Sequence, residues 1–299
     1  ANGVSALHNN TTGNYNVAVG AYVLVENTTG SFNTAVGRAA LTKNTTGHSN
    51  SAIGSSTLVN NTTGFRNTAS GYNVLNKNTT GSDNSSYGAL AMENHTTGGG
   101  NSAFGVAALR ANTTGGYNSA FGQDGLAQNT TGSYNIAVGR RALFKNTTAS
   151  NNVAVGGFAL QENTTGYNNS ALGHEALKSN TTAFNNVAVG NYSLHKNTIG
   201  SHNSALGLNA LNNNTTGGFN SAVGTRALYS NTTAIKNVAV GAYSLYKNTT
   251  GQYNTAVGVD ALHNNTTASS NVAFGHRALY SNTTGTDNLA IGENALENY

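Results

Sequence analysis

From Gly3 to Gly292 every seventeenth residue is glycine, without insertion or deletion, and (292 − 3)/17 is a whole number. A short fixed period constrains a chain more than any local propensity does. Each repeat must be one copy of the same small element, stacked on the last to share a continuous core. A typical repeat is Gly37-Arg38-Ala39-Ala40-Leu41-Thr42-Lys43-Asn44-Thr45-Thr46-Gly47-His48-Ser49-Asn50-Ser51-Ala52-Ile53.

Several columns of this repeat barely vary. The glycine (Gly20, Gly37, Gly54) is followed four residues later by leucine (Leu24, Leu41, Leu58), with Met92 the single exception. The triplet Asn-Thr-Thr recurs, headed by Asn27, Asn44 and Asn61, and only His95 and Ile199 interrupt it. Another asparagine stands four residues before each glycine (Asn16, Asn33, Asn50), and a small residue stands two before it, nearly always alanine.

The stretch Asn50-Ser51-Ala52-Ile53 alternates small polar and apolar residues before a breaker, which predicts a short strand. Side chains alternate across a strand, so Ser51 and Ile53 share one face and Ala52 takes the other. A second short strand is expected through Ala39-Ala40-Leu41-Thr42, with leucine opposite the preceding valine or isoleucine. Both glycines of the repeat mark turns. Alanine replaces the second of them at Ala149, Ala183, Ala234 and Ala268, so that position does not demand positive φ. The first never relaxes and is the expected crowded corner. Helix is excluded: leucine at an interval of seventeen makes no i, i+3, i+4 stripe, and two glycines per repeat each weaken a helix by roughly 1 kcal/mol.

The expected fold is therefore all-β, a parallel β-solenoid (β-roll) with one 17-residue coil per repeat. The 299 residues give 299/17, or about 17.5 coils, as a single continuous rod over residues 1–299. At the ~4.8 Å spacing of hydrogen-bonded strands the rod is about 80–85 Å long. Identical asparagines at that spacing pass amide hydrogen bonds from coil to coil. Both asparagine columns are accordingly expected to form ladders capping the turns inside the solenoid. One leucine and one valine per coil make a thin core, so chains are expected to associate along their length.

The variable positions carry what could face solvent or a ligand. In the column two after leucine, Glu26 precedes Lys43 by one coil and Lys145 precedes Glu162, with no like charges consecutive, as an exposed stacked surface requires. Aromatic residues also pair at an interval of seventeen: Tyr15 with Phe32, Tyr117 with Tyr134, and Tyr229 with Tyr246. These are stacked surface rings or, alternatively, ligand-facing aromatics of a glycan-binding platform. The least regular stretch, residues 66–100, carries Ser70, Tyr87, Met92, His95 and Gly98-Gly99-Gly100.

Chemistry is sparse. Charged residues are 8% of the chain, so the pI of 9.2 reflects scarcity of acids, and only Arg140-Arg141 forms a basic doublet. Nucleic-acid binding, which wants clustered Lys and Arg, is not expected, and nothing approaches a transmembrane run. The eight histidines are scattered over different columns without metal-site spacing. Only His195 and His202 lie close enough to meet across a turn. Carboxylates are too few for acid/base pairs, and serine lacks a Gly-x-Ser-x-Gly elbow. No catalytic residue, cofactor or metal is expected. The Asn-Thr-Thr triplets match the N-glycosylation sequon, but asparagines turned inward could not accept a glycan. Ice binding through a threonine array is a further alternative, with Asn44 and Thr46 on one face and Thr45 on the other. The chain has no cysteine and begins at alanine in register. Neither end resembles a cap, so both are expected to abut a flanking domain or the next molecule in a filament.

The segments Asn33-Thr34-Ala35-Val36-Gly37, Asn50-Ser51-Ala52-Ile53-Gly54 and Asn288-Leu289-Ala290-Ile291-Gly292 resemble the head repeats of YadA-type trimeric autotransporter adhesins and the related repeats of phage and viral tail fibres. That resemblance implies a left-handed β-roll, three chains side by side, and display outside the cell or on a virion tail fibre as an adhesive structure. This chain differs in its longer repeat with an Asn-Thr-Thr-Gly turn. The expected role is a structural extracellular fibre segment, self-associating as a homotrimer and into filaments, with a glycan- or receptor-binding module as the alternative.

Overall fold

The computed structural model describes residues 1–298 and comprises two compact units, Ala1–Ser150 and Asn151–Tyr299. Each is an all-β parallel solenoid, and no helix occurs among the described residues. The first unit carries three-residue strands from β1 (Val17–Val19) to β8 (Ile136–Val138), and the second carries those from β9 (Val153–Val155) to β17 (Leu289–Ile291). Within each unit consecutive strands pair in parallel at a register of one repeat, as in Thr34↔Ser51, Ala35↔Ala52 and Val36↔Ile53. The backbone thus winds once per repeat, and identical columns stand directly above one another. The leucines confirm it: Leu41 N–H donates to the carbonyl of Thr57, the residue before Leu58, at 3.0 Å.

The expected second strand does not exist. Residues 38–43 form turns. Ala39 and Leu41 sit in the left-handed region (φ 59° and 52°), and the same two columns do so in coil after coil. This alternation sends successive N–H groups to opposite neighbours. Ala39 N–H bonds Ala21 O in the preceding coil at 2.9 Å, while Leu41 N–H bonds Thr57 O in the following one. It also brings Ala40 and Leu41, adjacent in sequence, both into the interior with no exposure. A left-handed leucine costs roughly 1–2 kcal/mol, which burial of its side chain, worth about 1.5–3 kcal/mol, offsets.

The strand face that lies inside also differs from the expectation. Leucine was expected to meet valine or isoleucine; it meets alanine instead. Ala35 and Ala52 are completely buried, whereas the residues flanking them, Thr34 and Val36 or Ser51 and Ile53, face outward. A 17-residue coil already encloses one leucine, two asparagines and the residue before leucine (Ala40, Val23 or Val74), which leaves the strand column room for a side chain no larger than alanine or, at Ser86, serine. The corner glycine behaves as expected. Gly37 has φ +121°, and a Cβ there would lie 2.5 Å from the carbonyl oxygen of Gly54, closer than any side chain survives. The turn glycines such as Gly47 lie outside the positive-φ region, in keeping with alanine at Ala149 and Ala183.

Candidate functional site

Two asparagine ladders line the interior. In the first, Asn44 Nδ2 donates to Asn27 Oδ1 at 2.8 Å and Asn61 Nδ2 to Asn44 Oδ1 at 2.7 Å. The second N–H of each amide closes its own turn, Asn44 onto Gly47 O at 2.8 Å. In the second ladder, Asn33 Oδ1 accepts the backbone N–H of Asn50 at 3.0 Å, and Asn33 Nδ2 donates to Gly47 O at 2.9 Å. These carboxamides are buried and engaged on both sides, so the Asn-Thr-Thr asparagines of the interior coils offer no acceptor for a glycan. Burying a polar group costs stability unless it is paired; here the pairing is what connects one coil to the next.

The threonine columns divide. The first threonine of each triplet spends its hydroxyl on the next coil, Thr28 Oγ1 on Thr45 O at 3.1 Å and Thr45 Oγ1 on Thr62 O at 3.0 Å. The second, Thr46 for example, is exposed. Asn44 is buried, so it does not share a face with Thr46 as strand alternation suggested. The backbone turns there, and a single exposed threonine rank remains.

The paired aromatics do meet. Ring centroids lie 5.0 Å apart for Tyr15–Phe32, 5.1 Å for Tyr117–Tyr134 and 5.4 Å for Tyr229–Tyr246, with interplanar angles of 14°, 9° and 16°. In the second unit the last stack continues through His263 to Tyr280. Stacking spends facing ring surfaces on each other, so Tyr246 and His263, inside the long column, have both faces covered, whereas each ring of the two-membered stacks keeps one outer face. Charges stack in the same way: Arg66 pairs with Asp83 at 2.6 Å and Arg110 with Glu93 at 2.9 Å, each across one coil. Glu26 and Lys43 are both exposed, as their column predicted. His195 and His202 find different partners, Glu175 at 2.9 Å and the ring of Phe219 at 4.6 Å. Burial alone would raise the Glu175 carboxyl, but Lys178 and His195 outweigh it and hold it below the usual range.

Three features escaped the sequence. One is the outward strand face itself, where valine, isoleucine, leucine and phenylalanine stand exposed on both sides of the buried alanines. The second is His95, which is fully buried within the first ladder. The third is a notch of about 320 Å³ in the first unit, bordered by Arg110, Asp124 and Phe144. Its signal was present as a loss of side-chain bulk, Ala111 and Ala127, between larger residues of the same columns. No group of three or more metal-ligating side chains occurs among the described residues, and no helix there is long and apolar enough to cross a membrane. No family model, curated protein or solved structure matches the chain.

Proposed function

We propose that this chain is a structural segment of an extracellular fibre, the shaft or head of a surface adhesin-like or tail-fibre protein, self-associating side by side through its outward strand faces. The observation that carries the reading is the apolar character of those faces. In the first unit Val17 is 50% and Ile53 48% exposed; in the second, Leu172 is 50% and Leu206 49%. Contiguous exposed apolar surface of this kind marks an association site. Because the columns repeat at a fixed spacing, one such face complements another copy of itself along its whole length, and closed rotational symmetry favours a small ring of chains. Three is the number suggested by the resemblance to trimeric adhesin heads. The ladders supply the rest of the role: hydrogen bonds between coils make each unit stiff along its own axis without disulfides.

Molar mass in solution tests the reading directly. The full chain is expected to run as a trimer at micromolar concentration. Val238→Lys with Val240→Lys, both outward and exposed, is expected to shift it toward monomer while leaving the β signature of the fold intact. A chain that stays monomeric at high concentration ends the proposal.

A further inference from the structure

The notch in the first unit is made where two wall columns lose their bulk. In the column after leucine the residues run Glu93, Arg110, Ala127, Phe144; in the next they run Asn94, Ala111, Gln128. In the second unit that first column is filled by the stack Tyr229, Tyr246, His263, Tyr280. In the first unit Ala127 stands where the rung below Phe144 would be. No ring stacks on Phe144 from that coil; the Arg141 guanidinium lies over the ring at 5.0 Å, and the space beside them opens as the cavity of about 320 Å³.

The chemistry around the opening is selective. Its ionic groups are matched in sign, Arg110 with Glu93 at 2.9 Å and Arg141 with Asp124 at 3.7 Å, so the site has no net call for an ion. The buried Arg141 Nε makes no hydrogen bond despite its ion pair, and two carboxamides at the rim, Asn94 and Gln128, have side chains with no hydrogen bond to any described residue. They stand in one column two coils apart, roughly 9–10 Å of axial rise. Each can both donate and accept. The floor between them is the methyl groups of Ala107, Ala111 and Ala127, and the wall is Phe144. A small apolar hollow with a few uncommitted polar groups at its rim has the make-up of a ligand site, and its volume lies at the lower end for one.

We propose that this notch binds one neutral pyranose residue of a polysaccharide. Such a ring carries hydroxyls that donate and accept at its rim, matching the two amides, and C–H faces that pack on an aromatic wall. Its size suits the gap between the two amides. The site is distinct from the stacked surface aromatics, each of which gives at least one ring face to its neighbour. It does not depend on the fibre reading, because it lies within a single chain.

Saturation-transfer NMR on the full chain tests the proposal, with cellotriose, maltotriose and chitotriose as neutral probes and 3′-sialyllactose as the anionic comparison. At least one neutral trisaccharide is expected to bind, with a dissociation constant on the order of 1 mM, the affinity available to about a dozen ligand atoms. Phe144→Ala is expected to weaken it tenfold or more. Ala127→Tyr is the decisive variant: it inserts the missing rung, a residue native to this column at Tyr229 and Tyr246, and fills the notch without unfolding the coil. It should abolish binding. Tyr134→Ala, on a stacked surface pair, should leave it within twofold. Failure of every neutral probe to bind, binding of the sialylated sugar alone, or binding that survives Ala127→Tyr would each overturn the assignment.

Discussion

In the second unit the asparagine ladder from Asn180 to Asn265 has no break. Asn197 donates to Asn180 at 3.0 Å, Asn214 to Asn197 at 2.7 Å, Asn231 to Asn214 at 2.7 Å, Asn248 to Asn231 at 3.2 Å and Asn265 to Asn248 at 2.9 Å. In the first unit the same column passes through His95. There Nε2 meets Gly98 O at 2.7 Å and Nδ1 meets Asn112 Nδ2 at 3.0 Å. The partners fix the tautomer, because a carbonyl requires a donor at Nε2 and an amide N–H requires an acceptor at Nδ1. Nothing is left for the coil below, and Asn78 Oδ1 is buried without a partner. A rung needs two N–H groups on one nitrogen, one for its own turn and one for its neighbour. Asparagine has both; a neutral imidazole has one N–H in all. The ladder is therefore directional and selects for the carboxamide, rather than for any polar side chain of suitable size.

Removing a rung from the intact ladder should have the largest effect. Asn214→Ala orphans Asn197 Oδ1 and one N–H of Asn231, since Asn214 is the partner of each. At about 1–3 kcal/mol for each orphaned buried group, the cost is roughly 2–6 kcal/mol. Native-state hydrogen exchange should show it as lost protection in the coils on both sides of residue 214. Loss confined to the mutated coil would mean that the rungs act independently and that the ladder does not couple neighbouring coils.

The interrupted ladder predicts the reverse. His95→Asn restores a donor to Asn78 Oδ1 and keeps the acceptor for Asn112, so it should raise protection in residues 78–112 by about 1–3 kcal/mol. The same variant carries a pH signature. Burial pushes the His95 imidazole below its ordinary value, against the opposing pull of its hydrogen bond to Gly98. The unfolded chain then binds more protons than the folded one between the lowered value and the ordinary one of 6.5. Stability accordingly falls as pH drops through 6.5 toward the folded value, and is unaffected by this group above that range. Protonation would also set Nδ1–H against the amide N–H of Asn112. Denaturation followed from pH 7.5 to 5 should show a decline in the native chain that His95→Asn removes. Equal decline in both would place the sensitivity elsewhere.

How much of this was legible in the sequence follows from which contacts are local to a column. The period, the corner at Gly37 and the ladders at Asn44 and Asn50 depend only on each residue meeting its own copy one coil away, and the spacing of seventeen states that outright. The inward face of the strand depends instead on what fits between opposite walls of a coil. Ile53 is the more apolar residue, but Ala52 is the one the interior can hold beside Leu41 and Asn44. The turn at Ala39–Leu41 was hidden because left-handed alanine and leucine have no local signature; the cross-coil hydrogen bonds of Ala39 and Leu41 impose it. The notch was hidden because it needs two neighbouring columns read together: Ala127 and Phe144 share one, one coil apart, while Asn94 and Gln128 stand in the next, and a gap shows only when both columns are followed at once.

The smallest effect comes from another irregularity of the same region. Ser86 replaces the buried strand alanine in the Ser85–Tyr87 strand; it has no exposure, and its hydroxyl finds no partner. Buried hydroxyls are not unwelcome in these coils as such. Thr57, Ser193 and Ser244, three residues after a corner glycine, donate to the carbonyls of Gly71, Gly190 and Gly241 at 2.8, 2.9 and 2.9 Å. What differs is the column: three residues past the corner a glycine carbonyl is within reach, whereas from the strand column the Ser86 hydroxyl reaches no acceptor. Ser86→Ala removes an unpaired hydroxyl, changes the volume by one oxygen and restores the residue found in the strand columns on either side, Ala69 and Ala103. It should stabilise the coil by about 1 kcal/mol, while Ser193→Ala, which deletes a satisfied hydrogen bond, should destabilise by a similar amount. Opposite signs for the two serines, measured by hydrogen exchange at pH 7.5, would show that the column rather than the residue type decides which polar groups the interior accepts.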